Sequence, residues 1–375
     1  AIETFTQPQW ITDYPLLHNF SQEVGEMKFI LIGFLSLVGI FFVKNIFLAY
    51  LAYFHSKFSF AVQVETSVFL YKSYLSQPYE FFLSKNSSEL LRNTIGEVNS
   101  FVGYVLQPML IIITECLVLF AVISLLIYVE PIACLSVIFF VALVGWGFNK
   151  FTTARVAEWG NERQKHEAKK IQYLQEGFDG IKMIKLLDNP SELLKKFNFH
   201  TDRGAMAGKN QYAMQQMPRL LLEFLSILAL SVLAFSLLSK DPIEGSSASK
   251  LGMIAFGLIR IMPSVARVVN SYQSLIYGLP CVQVLNDEFH NFKFSKKKDV
   301  QGNQEKFNQS FKINGVSYAY PESDRESLAD MSLEVKKGTC VGILGKSGSG
   351  KSTLIDIALG LLKPLKGDLL VDGKI

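Results

Sequence analysis

Apolar residues in this chain gather into long runs instead of alternating with polar ones. Five runs stand out, at about 29–53, 104–128, 131–149, 220–239 and 251–275. A hydrocarbon core of about 30 Å takes a helix of roughly 20 apolar residues, so each run predicts a membrane-spanning helix. A buried core helix would carry a polar face, and these runs are too uniformly apolar to have one. Charges inside them are few: Lys44 in the first, Glu115 in the second, none in the third, Glu223 in the fourth, Arg260 and Arg267 in the fifth.

The connections set the expected orientation. Residues 1–27 contain no Lys or Arg but hold Glu3, Asp13, Glu23 and Glu26, whereas the connection 150–218 is strongly basic from Lys150 to Lys209. The basic loop is expected on the cytoplasmic side. Residues 1–27, the turn at Glu130-Pro131 and the connection near 240–250 then fall outside, and everything after about 276 falls inside. The cytoplasmic connections, about 54–103 and 150–218, are too long for structureless loops, so the membrane helices are expected to continue as stalks. Pro78 and the Ser84–Ser88 stretch interrupt the first stalk, and Gly177 and Gly180 the second. A short cross-helix at each break could touch a cytosolic domain; a plain solvated hairpin is the other reading.

Beyond about Asp287 the pattern turns polar, with Lys296-Lys297-Lys298, and at Phe311 it changes to short alternating strands, Phe311–Val316 and Met331–Val335, divided by a loop at Pro321–Glu326. The expected division is therefore 1–285 membrane domain, 286–310 linker and 311–375 soluble domain.

Composition agrees. Of 375 residues, 49% are hydrophobic and 19% charged, which excludes a disordered chain. A net charge of +4 is too mild to argue for a nucleic-acid partner. Cys116, Cys134, Cys281 and Cys340 lie far apart and read as apolar fillers.

The sharpest motif is Gly345-Lys346-Ser347-Gly348-Ser349-Gly350-Lys351-Ser352, a GxxxxGK[ST] loop between an apolar strand, Cys340–Leu344, and an apolar helix, Thr353–Leu362. The glycines let backbone N–H groups approach phosphate oxygens, and the first helical turn from Lys351 to Thr353 faces the same anion. Lys351 supplies a charge to the β/γ-phosphates, and the Ser352 hydroxyl is suited to Mg²⁺. Upstream, Tyr318 and Tyr320 present rings that could stack on adenine or serve as ordinary strand aromatics.

Taken in order, Tyr320-Pro321, Leu333–Gly338, the phosphate loop, Gly360–Pro364 and Gly367–Gly373 resemble the opening part of an ABC transporter nucleotide-binding domain. The resemblance implies ATP and Mg²⁺ as ligands, with Tyr320 as the adenine-stacking aromatic. The membrane part resembles the exporter-type domain, with Pro78–Leu91 similar to its first coupling region and Gln175–Lys182 to its second. The fold class implied is an α-helical polytopic membrane domain with five of six spans, followed by a truncated α/β P-loop nucleotide-binding domain. The family's first span, Q-loop, LSGGQ signature, Walker B acid and switch His have no counterpart here. With Ala1 in place of Met at the start, the chain is expected to be a piece of a longer protein, inactive alone as an ATPase.

Within the family, Arg260–Arg267 with Ser271-Tyr272, and the Lys44-Asn45 and Pro218-Arg219 neighbourhoods, are similar to bacterial lipid-linked oligosaccharide flippases. The implied function is an ATP-driven half-transporter acting as a homodimer in the bacterial inner membrane, with membrane lipid around it and a lipid-linked glycan as substrate. Intramembrane cations are costly enough to suggest a task. Lys44, Arg219, Arg260 and Arg267 are expected to line the cavity and hold a diphosphate, because Arg forks match phosphate oxygens. Alternatively, Lys44, Arg219 and Arg267 reach to inner headgroups while Arg260 pairs with Glu223 or Glu115. Other exporter cargoes (drugs, phospholipids, peptides) and a membrane-anchored P-loop regulator that transports nothing complete the alternatives.

Overall fold

The computed structural model describes residues 26–129, 131–238, 245–293, 307–320, 323 and 325–374. The outer segment 1–25, the turn at Glu130, the connection at 239–244 and the basic run Lys296–Lys298 lie outside the described residues. The chain divides into two units, residues 1–64 and 65–375.

The first unit is one helical stretch. It belongs to α1, Glu26–Leu75, whose apolar side chains, among them Leu35, Phe42 and Val43, point outward around the whole circumference. A helix apolar on every side is suited to lipid. Lys44 is half-buried, with its ammonium 4.9 Å from the centre of the Phe41 ring.

The second unit holds the remaining helices and the sheet. After α1 come α2, Tyr79–Ser84, and α3, Ser87–Leu91. The helical path continues through a π-turn at Arg92–Glu97, α4 at Val98–Phe101 and a second π-turn at Val102–Leu106 into α5, Gln107–Val129. Three long helices follow: α6, Pro131–Asp179; α8, Ser191–Leu238; and α9, Gly245–Lys293, with the short α7, Ile181–Leu187, between the first two. The runs 29–53, 131–149 and 251–275 each fall on one helix, 220–238 falls on α8, and 104–128 begins in the second π-turn and continues in α5. At 48 to 50 residues, α1, α6, α8 and α9 reach about 75 Å at 1.5 Å per residue, more than twice the hydrocarbon thickness. The excess forms the stalks.

Two buried polar clusters tie the stalks together. Asn93 Nδ2 donates to Glu288 Oε1 on α9 at 3.2 Å and to the Tyr74 hydroxyl at 3.5 Å, while Arg92 donates to Asn93 Oδ1 at 3.0 Å. Burial pushes the Tyr74 hydroxyl far above its ordinary range. Leu70, Tyr74, Val98 and Leu285 close an apolar cluster around it, on which Phe81 of α2 rests. In the other cluster the Arg163 guanidinium lies 5.0 Å from the Tyr104 ring and 5.2 Å from the Tyr277 ring, and donates to Ser100 Oγ at 2.8 Å. Stacked between two rings, a cation keeps favourable electrostatics where water is scarce.

The second stalk breaks at Gly180, one of the two glycines expected there, which caps α7. Gly177 does not interrupt the helix; α6 runs through it to Asp179, and the cross-helix is α7, centred after the Gln175–Lys182 region. Gly177 instead permits close packing, since a Cβ there would lie 2.7 Å from Leu193 Cδ2 of α8. Asp188, in the left-handed region at φ 46°, and Pro190 end α7.

The sheet has the order β2-β1-β3, all antiparallel, with β1 at Ser310–Tyr318, β2 at Leu328–Lys336 and β3 at Lys366–Val371. Both expected strands are thus longer than the alternation suggested. Ile313 pairs with Leu333 on one side and Leu369 on the other, and with Val316, Tyr318, Leu328, Leu354, Ile357 and Leu362 it makes the core. Cys340–Leu344, expected as a strand, pairs with no strand among the described residues, with Leu344 96% exposed. A strand exists only through a neighbour's ladder, and the described residues supply none there. The helix after the loop, α10, is Lys351–Ala358, shorter than expected. It stops in a Schellman turn: Gly360 at φ 70°, with Leu361 N donating to the Asp356 carbonyl and Gly360 N to that of Ile357, both at 2.9 Å.

Candidate functional site

Two places carry the candidate chemistry. The first is the loop Gly345–Gly350, which is largely exposed and leads into the N-terminus of α10. Gly350 is the cap residue at φ 84°, and a Cβ on it would stand 2.5 Å from the Ser327 carbonyl oxygen and 2.8 Å from Leu328 Cδ2. Both the conformation and the close approach of β2 require glycine. Lys351 Nζ folds over the loop and donates to the carbonyls of Gly345 at 2.8 Å and Lys346 at 2.6 Å. Ser352, one residue on, is exposed, and Thr353 is buried. The loop therefore offers backbone N–H groups, a helix N-terminus, an ammonium and a hydroxyl along one short stretch of chain, a donor set that fits a phosphate chain with its Mg²⁺.

Tyr320 stands beside this loop, its hydroxyl 3.0 Å from Thr353 Oγ1 and its ring edge-on to Tyr318 at 5.2 Å. Tyr318 is 2% exposed within the core, leaving Tyr320 as the half-buried ring next to the loop. Burial, with the Glu80 carboxylate of α2 adding to it, pushes the Tyr318 hydroxyl up.

The second place is a cavity of about 760 Å³ between α8 and α9. Its polar lining is Gln216, Arg219, Glu223, Ser226, Arg267 and Asn270; its apolar lining includes Leu222, Ile227, Ile259, Met262 and Ala266, with Pro263. It brings together two of the four cations singled out in the sequence, Arg219 and Arg267. The side chain of Arg260 lies outside the described residues, and Lys44 belongs to the first unit. Arg267 is not a free cation: its Nε and Nη2 donate to Glu115 Oε1 and Oε2 of α5 at 2.5 and 3.0 Å. One of the two partners expected for Arg260, Glu115, is thus engaged by Arg267, and a fork-to-carboxylate pair is the strong form of that bond.

Gln216 and Ser226 were not singled out from the sequence. With Arg219 and Glu223 they recur at spacings of 3, 4 and 3, a polar stripe on one face of α8, and that period was the available signal. Asp372 was missed as well. Its carboxylate accepts the backbone N–H groups of Asn308 and Gln309, each at 2.7 Å, and of Ser310 at 3.0 Å, which hold it below the usual carboxylate range.

A polytopic helical domain leading into a phosphate-binding loop on a small sheet defines a membrane protein with an attached nucleotide-binding region. Residues 8–239 match the family model of the ABC transporter transmembrane region and residues 328–375 that of the ABC transporter. The chain belongs to the ABC transporter family. It is similar to the ATP-dependent lipid A-core flippase of Bordetella pertussis, 25% identical over 314 residues, 81% of this chain and 48% of that protein. The ATP-dependent lipid A-core flippase of Ralstonia nicotianae is 22% identical over 338 residues, 90% of this chain and 56% of that protein. The end of the chain resembles the energy-coupling factor transporter ATP-binding protein EcfA1 of Mycoplasmopsis synoviae, 51% identical over 63 residues, 16% of this chain and 24% of that protein. In fold it matches the structure of a bacterial Atm1-family ABC exporter with ATP bound, with a TM-score of 0.64 and 16% identity, covering 98% of this chain and 62% of that one. The chain spans about half the length of the curated flippase relatives it matches.

Proposed function

We propose that this chain belongs to an ATP-driven exporter half-transporter that pairs with a second copy of itself and moves a lipid with an anionic head across the bacterial inner membrane by alternating access. In this reading residues 1–285 form the membrane domain, with 1–27 on the outer side, residues 286–310 a linker, and residues 311–375 part of the cytoplasmic nucleotide domain. The observation that carries it is a cavity between membrane helices whose lining includes Arg219, with the Arg267 guanidinium, bridged to Glu115, beside it. Lys44 and Arg260 are proposed as further contacts to the head. The shared ligand chemistry is a lipid-borne phosphate, on a lipid-linked glycan or on a lipid A-type head, and the flippase relatives support that class.

Backbone N–H groups from Gly345 through Thr353, including those of Lys346, Ser347, Gly348, Ser349 and Gly350, are positioned to hold the ATP phosphates, with Lys351 as point charge, Ser352 as Mg²⁺ ligand and Tyr320 against adenine. Bound ATP supplies the free energy of phosphoryl transfer to water. The short helices α2 and α7 would carry domain closure to the stalks. Replacing Arg219 and Arg267 together by Gln, in protein expressed from the whole coding sequence, tests the reading. ATP-driven translocation of a phosphate-headed lipid is expected to fall while ATP turnover persists; unchanged translocation would overturn it.

A further inference from the structure

The arginine that lines the α8–α9 cavity from α9 is held from outside it. Glu115, on α5, is not among the cavity's described lining residues, yet both its oxygens accept from Arg267, at 2.5 Å from Nε and 3.0 Å from Nη2. Arg267 Nη2 also donates to Ser264 Oγ at 3.3 Å, one turn back on α9. Among the described residues Nη1 has no hydrogen-bond partner, and the Arg267 side chain is 51% exposed against 14% for Glu115. One edge of the guanidinium is therefore occupied and sheltered, and the other is open to a ligand.

The bidentate bond fixes the guanidinium plane, and the carboxylate offsets much of its charge. At contact distance and away from bulk water that offset is only weakly screened. An anionic head reaching Arg267 thus meets an ion pair rather than a bare cation. A site that passes its cargo onward must bind firmly enough to load and weakly enough to unload. A bare arginine inside the membrane would favour loading and slow unloading. Glu115 moderates it from α5, without taking up the space the cargo needs.

We propose that Glu115 sets the cavity's affinity for an anionic lipid head, as a positioning residue that acts through Arg267 and does not touch the cargo. Its charge keeps binding weak enough for release, and its two oxygens keep Nη1 presented to the head. The inference rests on the lipid-export reading, which gives Arg267 to the head, and assigns a task to a residue that reading leaves out. It concerns Arg267 alone and requires nothing of Arg219 or Arg260.

Glu115→Gln is the discriminating variant, because it is isosteric, keeps an acceptor for Arg267 and removes the charge. Protein expressed from its whole coding sequence is reconstituted in phosphatidylcholine vesicles, and ATP-driven translocation of tail-labelled phosphatidylglycerol is followed as its mole fraction is raised. In Glu115→Gln the half-saturating fraction is expected to fall by about tenfold, the scale of one weakly screened charge, and the maximal rate to fall with it. A loss of packing alone would not tighten binding. Glu115→Asp, which keeps the charge, should leave the half-saturating fraction within about twofold of the unaltered protein, and Arg267→Gln should raise it. An unchanged or raised fraction in Glu115→Gln, or an equal fall in Glu115→Asp, with Arg267→Gln still raising it, overturns the inference and leaves lipid export standing. Arg267→Gln saturating like the unaltered protein, or unaltered protein that turns over ATP and moves no phosphatidylglycerol, overturns the export reading together with it.

Discussion

The phosphate loop and the α8–α9 cavity are both organised around cations, but they settle those charges over different distances. Lys351 finds its acceptors on Gly345 and Lys346, within the same turn of backbone. Arg267 finds its acceptor on Glu115, 152 residues away on another helix. The loop site is therefore a property of local chain conformation and survives in any fold that presents strand, loop and helix in sequence. The cavity exists only while α5, α8 and α9 are packed together, so its charge balance can be changed from outside its own lining.

The largest expected effect lies on the local side. Lys351→Ala should reduce ATP turnover, measured on protein expressed from the whole coding sequence, by at least about a hundredfold, because the phosphates lose their ammonium. Turnover within a few-fold of the unaltered protein would break the equivalence between this loop and a phosphate site.

Next comes the core beneath the loop. Ile357, fully buried on α10, packs with Ile313, Val316 and Leu354, and Ile357→Ala should cost about 2–5 kcal/mol in the soluble part's thermal or denaturant unfolding. The membrane helices should show no change in the same experiment. A matching loss in both parts would erase the contrast between them.

A smaller effect is expected across the cavity. Glu115 is 14% and Arg267 51% exposed at the side chain, so solvent shares the load, and Glu115→Gln should cost about 1 kcal/mol. Adding Arg267→Gln should recover part of that loss, a coupling read by a double-mutant cycle. Additive losses would show that the pair carries no energy of its own.

The smallest effect concerns acid. Asp372, half-buried and held by three backbone N–H groups, has its folded-state pKa depressed. Its contribution is complete above the ordinary aspartate value of about 4 and is lost as pH falls through the depressed one. Acid unfolding of the sheet should therefore lose one protonation step in Asp372→Asn. An unchanged acid limb would remove Asp372 from the clasp at the start of β1.

The phosphate loop was legible because its eight residues are contiguous and each residue type is demanded by local geometry. The same reasoning misjudged Gly177, since a glycine that breaks a helix and one that lets a neighbour approach look alike in sequence; Leu193 decides which it is. It also placed a strand at Cys340–Leu344, where hydrophobicity is strand-like but no ladder partner is present among the described residues. Long apolar helices, stalks and the short α2 were readable from run length and the position of Pro78.

By itself the sequence determined which runs are long and apolar enough to cross a membrane and offered one contiguous loop of phosphate-cradling residue types, because hydrophobic run length and local backbone demands are written in consecutive residues. Only the tertiary structure decided that Arg267 answers to Glu115, that Arg219 and Glu223 share a cavity, and that Tyr320 rather than Tyr318 stands beside the loop. Those outcomes depend on which helix or strand face meets which. Electrostatic and packing energies between distant residues are set by that meeting, and spacing along the chain does not encode it.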